Sequence, residues 1–173
     1  MITLGIDPGT ATTGFGVIRE ESDGSLKVLA CGVILTKSNI SQAERLVLLF
    51  NRIKELIVLH RPDMGAVEKL FFERNVRTAL TVGQARGVIL LALAESNLQI
   101  GEYTPLEVKQ AVAGYGAADK NQVQQMVKTI LGLDMIPHPD DAADALAVAI
   151  CHIHSVKMHN LTIDNNDSGG RSW

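Results

Sequence analysis

Ile2-Thr3-Leu4-Gly5-Ile6-Asp7-Pro8-Gly9-Thr10 carries the first structural decision of this chain. Residues 2–6 alternate and branch like a buried strand, and Asp7-Pro8-Gly9-Thr10 breaks that strand with strong turn formers. Thr12 to Ile18 reads as a second strand. A carboxylate at the last position of a central strand sits where open sheets present their ends to ligands. Taken alone, Asp7 is explained equally well as a turn-stabilising residue, so the other acids must decide.

Beyond this hairpin, Glu20 to Ser25 makes a polar turn and Leu26 to Thr36 a third strand, which completes an antiparallel meander. Ser41-Gln42-Ala43-Glu44 has the capping-box pattern, followed by Leu46, Leu49, Phe50, Ile53, Leu56 and Ile57 at helical spacing to about His60. Arg61-Pro62-Asp63 ends that helix, and Met64 to Val67 is a short apolar strand closing at Glu68. A long helix is expected from about Val76 to Ser96. Its Gly83 and Gly87, four apart, permit close approach to another helix, within the chain or across a dimer.

Ile100 to Tyr103 is a further strand, and Thr104-Pro105-Leu106-Glu107 opens a helix to Val112. Asp119 starts another, which Gly132 stops, and the last runs from Asp140 to about His154. From Ser155 onward periodicity is lost as Asn, Asp, Ser and Gly accumulate. The expectation is an α/β domain over residues 1–154: a mixed five-stranded sheet, antiparallel meander then parallel strands, with helices on both faces. Residues 155–173 are expected to form a flexible C-terminal tail.

The 173 residues, 46% hydrophobic, suffice for one domain with a real core. No apolar run reaches the roughly 18 residues a membrane span needs, and Met1 leads straight into a strand, so a soluble cytoplasmic protein is expected. Cys31 and Cys151 form no disulfide framework and read as reduced core residues. Cys151, His152 and His154 lack the second ligand cluster that a zinc site requires. A net charge of −3 argues against a polyanion partner, unless the acids gather to hold divalent cations.

Asp141 and Asp144 lie three apart in the first helical turn, so they share a face, and Ala142, Ala143 and Ala145 allow that helix to approach the sheet. Asp140 blurs this register, because Asp140 and Asp144 are neighbours at four-residue spacing. Each acid alone is also an ordinary residue for a helix start. If Asp7, Glu68, Asp141 and Asp144 converge, their repulsion must be offset by raised pKa values or by cations, and four hard oxygen ligands suit Mg²⁺ or Mn²⁺. Two such ions about 3.5–4 Å apart serve phosphodiester cleavage.

At these residues the chain resembles a known family. Gly5-Ile6-Asp7-Pro8-Gly9-Thr10, Val67-Glu68-Lys69-Leu70-Phe71, Val108-Lys109-Gln110, Ala118-Asp119-Lys120 and Asp141-Ala142-Ala143-Asp144-Ala145-Leu146-Ala147 are similar to RuvC, the bacterial Holliday-junction resolvases. The likeness covers about residues 1–154 in unbroken order. It implies a ribonuclease-H-like fold, and a homodimer that binds a four-way DNA junction and makes paired symmetrical Mg²⁺-dependent nicks, leaving 5′-phosphate and 3′-hydroxyl ends. RuvA and RuvB, the branch-migration complex, are the implied partners. The family's acids fall on Asp7, Glu68, Asp141 and Asp144, with the DAAD alignment favouring Asp141 over Asp140. Its stacking aromatic falls on Phe71, and its two DNA-linked lysines on Lys109 and Lys120, Lys120 counted with the catalytic set.

Phe71 and Phe72 point opposite ways in an extended segment, so one can pack inward while the other meets a base. Arg74 and Arg77 are candidate phosphate contacts, and Arg86 a weaker one. A strand followed by Asp-x-Gly-Thr also resembles the phosphate-binding hairpin of actin-like ATPases and sugar kinases, a rival reading from a different class.

Overall fold

The structure is a computed structural model that describes residues 1–69 and 76–168, with side chains at 1–69 and 79–159. Strands β1 (Ile2–Asp7), β2 (Thr12–Glu20) and β3 (Leu26–Leu35) form the antiparallel meander. After helix α1 (Gln42–His60), β4 (Met64–Glu68) pairs parallel to β1. After α2 (Val76–Glu95), β5 (Gln99–Tyr103) pairs parallel to β4. The sheet order is β3-β2-β1-β4-β5. Helices α3 (Pro105–Ala113), α4 (Lys120–Ile130) and α5 (Asp140–Ser168) complete the fold. This is the mixed α/β sheet that the sequence pattern leads one to expect.

Three helix starts are written locally. Ser41, Thr104 and Asp119 each accept a hydrogen bond from the backbone three residues on, and the side chains of Glu44, Glu107 and Gln122 accept one from the backbone N–H of the cap. The sheet is then buried on both faces. Leu4, Ile6, Val17 and Val67 meet Leu49 and Ile53 of α1 and Ile89 and Leu93 of α2. On the opposite face Ile18 and Ala66 meet Val108, Val123, Val127, Leu146 and Ile150 from the last three helices.

Helix α5 lies on the sheet almost backbone to backbone. Gly5 pairs with Gly16 and Asp7 with Gly14 across β1 and β2, which leaves a patch without side chains. A Cβ placed on Gly5 would stand 2.7 Å from the Ala149 amide nitrogen, and one on Gly14 would stand 2.6 Å from the Asp141 carbonyl carbon. Ala142, Ala143, Ala145 and Ala149 are fully buried beside this patch. No bulkier pairing lets the start of α5 come so near the end of β1.

Two expectations change. Helix α5 continues to Ser168 instead of ending near His154, so residues 155–168 are helical and not a frayed tail. Composition reports burial, whereas a helix already nucleated by buried residues extends at little cost, one backbone hydrogen bond per residue. Along this extension Ser155 Oγ donates to the Cys151 carbonyl, and Lys157 Nζ lies 2.7 Å from Glu20 Oε1. Cys31 is exposed on the edge strand β3 rather than in the core, whereas Cys151 is buried, and both are free thiols. Among the described residues nothing lies within 4 Å of a Cβ built at Gly83 or Gly87, so the close approach expected there is not made within this part of the chain.

Gly5→Ala should destabilise the chain by at least about 2 kcal/mol, because the clash is with helix backbone that cannot swing aside. Gly16→Ala should cost less, because the nearest atoms there, at 2.7 and 2.8 Å, belong to the Leu146 side chain. Urea unfolding of both variants gives the comparison.

Candidate active site

Asp7 ends β1 and Glu68 ends β4, and because these strands are parallel neighbours both acids leave the same end of the sheet. The glycine patch sets the start of α5 over that end, with Asp141 and Asp144 in its opening residues. The structure therefore brings the four expected acids together. The Asp7 carboxyl is pushed up to about 8, first by burial, then by repulsion from Glu68, Asp144 and Asp141 and by the hydrogen bond it donates to Glu68. Glu68 is also raised, by burial and then the charge of Asp144, while the bond from Asp7 and the positive charge of Lys109 pull the other way. Asp144 is raised by burial, against the bond and attraction of Lys120.

Lys120 opens α4 beside this cluster. Its Nζ lies 3.0 Å from Asp140 Oδ2 and 3.2 Å from Asp144 Oδ2. Partial burial disfavours the ammonium, but its bonds to Asp140 and Asp144 outweigh that and hold it above the usual lysine value. The adjacent acids thus part ways: Asp141 acts on Asp7, while exposed Asp140 is held below the ordinary carboxylate range first by its bond from Lys120.

The donor set fits divalent cations, because carboxylates crowded out of water share a proton and a lysine where a cation would neutralise them. Among the described residues no three His, Cys, Asp or Glu side chains stand in a ready-formed ion cage. The proton on Asp7 and the Lys120 ammonium offset only part of the negative charge in this arrangement.

The family model described as "Crossover junction endodeoxyribonuclease RuvC" matches residues 3–152. The chain belongs to the RuvC family. A relative of that description from Roseiflexus sp. (strain RS-1) is 58% identical over 156 residues, covering 90% of this chain and 92% of the relative. A Thermus thermophilus RuvC structure superposes with a TM-score of 0.86 at 38% identity, covering 92% of this chain and 97% of that one. T. thermophilus RuvC in complex with Holliday junction substrate gives 0.84 at 36% identity, covering 91% of this chain and 96% of that one. The fold is thus the ribonuclease-H-like one that the family resemblance implies.

Of the remaining expected residues, Lys109 is half-buried on α3, within electrostatic reach of Glu68. Phe71, Phe72 and Arg74 lie outside the described residues, as does the side chain of Arg77. Arg86 serves the protein and is not simply a solvated charge. Its Nε donates to the Glu68 carbonyl at 3.3 Å and its guanidinium pairs with Glu102, so it ties α2 to the strand end that carries Glu68. Cys151, His152 and His154 are structural: Cys151 Sγ donates to the Glu107 carbonyl, His152 Nδ1 shares a 2.8 Å hydrogen bond with Tyr103 Oη, and His154 Nδ1 donates to the Ala111 carbonyl.

Sequence reasoning missed Arg45. Its Nη2 donates to the Thr10 carbonyl at 2.7 Å and its Nε to Thr36 Oγ1 at 2.8 Å, which pins the turn that follows Asp7. Thr13 Oγ1 holds the same turn through the Gly9 carbonyl at 2.7 Å. No local signal reports Arg45, because its partner Thr10 stands 35 residues away.

The raised acid makes a signed prediction. Folded Asp7 keeps a proton that the unfolded chain releases near 3.8, so its contribution to stability is fully present below that pH and lost as pH rises through about 8. In EDTA, the Tm of Asp7→Asn minus that of the wild type should grow between pH 5 and 8.5. It should reach at least about 2 °C, which is what about 1 kcal/mol produces in a chain of this size. Mg²⁺ at pH 8 should raise the wild-type Tm and leave that of Asp7→Asn unchanged.

Proposed function

We propose that this chain resolves four-way DNA junctions by paired symmetrical nicks that leave 5′-phosphate and 3′-hydroxyl ends. The observation that carries the reading is the convergence of Asp7, Glu68, Asp141 and Asp144 at one sheet end in a RuvC-family chain. The solved T. thermophilus relative bound to Holliday junction substrate supports the choice of substrate. The acids would hold divalent cations, Mg²⁺ by their hard oxygen chemistry and Mn²⁺ as a substitute. When bound, such ions supply an activated water and neutralise charge at phosphorus.

The chain's own residues supply the rest. The glycine patch and Arg45 fix where the carboxylates stand. Lys120, at the edge of the cluster, would donate to the scissile phosphate, and Lys109 near Glu68 would contact the same backbone. Phe71 would stack on a base at the opened junction, and Arg74 and Arg77 would meet phosphates. Residues 1–154 would constitute the nuclease domain.

A homodimer would present two such sites to the two strands to be cut. Leu80, Gly83, Gly87 and Leu91 share one face of α2; both leucines are exposed and no described residue lies within 4 Å of a Cβ at either glycine, which supports this helix as the seam. RuvA and RuvB would be its partners on the junction, and a cytoplasmic location accords with a chain in which no described helix is long and apolar enough to cross a membrane.

Denaturing gels of a labelled synthetic four-way junction in Mg²⁺ should show nicks at symmetry-related positions in opposed strands. Asp7→Asn should slow nicking by on the order of a thousandfold while junction binding persists. An uncut junction, or cleavage by Asp7→Asn at the wild-type rate, would refute the assignment. Affinity for ATP without affinity for junctions would favour the kinase-like rival.

A further inference from the structure

Asp140 stands outside the group of acids that act on Asp7, yet its carboxylate is the nearer of the two that hold Lys120, at 3.0 Å against 3.2 Å for Asp144. Gln124, one turn on from Lys120 along α4, turns its polar end toward the same carboxylate. Gln124 is only 8% exposed, and its buried amide nitrogen makes no hydrogen bond among the described residues. Lys120 is therefore tied directly to the first residue of α5, while Gln124 on the same face of α4 lies beyond hydrogen-bond distance of it.

Lys120 needs such a holder for two reasons. It is the first residue of α4, where the exposed backbone N–H groups disfavour a cation, so its position depends on acids from elsewhere. Its four-carbon stem is also flexible, and an untethered ammonium would spread over many rotamers. Of its two holders, Asp144 belongs to the acid cluster and is committed to cations once they bind. Asp140 is exposed and remains free to keep the lysine in place.

We propose that Asp140 is a positioning residue: it anchors Lys120 at the mouth of the acid cluster, so that the ammonium stays aimed at the scissile phosphate once Asp144 is engaged. The proposal rests on the junction-cleavage reading above. It also assigns different work to adjacent aspartates, Asp141 inside the cluster and Asp140 on its rim.

The test uses the full chain, a synthetic four-way junction and single-turnover cleavage in Mg²⁺ with enzyme in excess. Asp140→Asn should slow cleavage about fivefold, the effect that an exposed ion pair supports. Its junction affinity in Ca²⁺, the salt dependence of that affinity and Mn²⁺ binding followed by calorimetry should all match the wild type. Asp140→Glu should recover most of the lost rate. In a Lys120→Met background, Asp140→Asn should bring no further loss, because the two residues act as one unit. Additive losses, weakened Mn²⁺ binding or an unchanged rate each overturn the proposal while leaving the junction-cleavage reading intact. A wild-type chain that leaves the junction uncut overturns both.

Discussion

Carboxylates brought together away from water repel one another, and that repulsion is the constraint on which this structure turns. Asp7 meets it by keeping a proton well above the usual carboxylate range, Glu68 by accepting a hydrogen bond from Asp7, and Asp144 by pairing with Lys120. Each is a substitute for a divalent charge, which would relieve all of them at once. The same crowding that destabilises the cation-free chain is thus what would give the site an affinity for hard cations.

Holding like charges together requires a scaffold that cannot spread. Here it comes from two cores pressed on opposite faces of one sheet and from the glycine patch under α5. Gly5, Gly14 and Gly16 act by lacking a side chain, not through unusual backbone angles, and buried alanines of α5 complete the contact. A bulkier residue on either side would lift the helix and take Asp141 and Asp144 out of reach of Asp7, with no change to the acids themselves.

Around the cluster, cations act through the backbone and through one another. Arg45 braces the turn after Asp7, Arg86 braces the strand end at Glu68, and Asp140 braces Lys120. Removing one side of such a brace leaves the other polar group without its partner, which is why these residues matter beyond their weak surface energies. The net charge of −3 reveals none of this, because the sign that matters is local.

The sequence by itself determined what depends on near neighbours. Capping boxes at Ser41, Thr104 and Asp119 mark helix starts, alternation in residues 2–6 and 12–18 marks the hairpin, and the DAAD run sets two acids on one helical face. Membership of a known family was legible too, since separate motifs agree in order and spacing. Tertiary structure alone decided that Asp140 pairs with Lys120, that Cys31 faces outward, that Arg86 serves Glu68, and that Arg45 holds the turn. It also carried α5 past Ser155, where composition suggested an end. The division has one physical cause: caps and periodicity are settled within a few residues, whereas burial, ion pairing and backbone approach depend on partners distant in the chain.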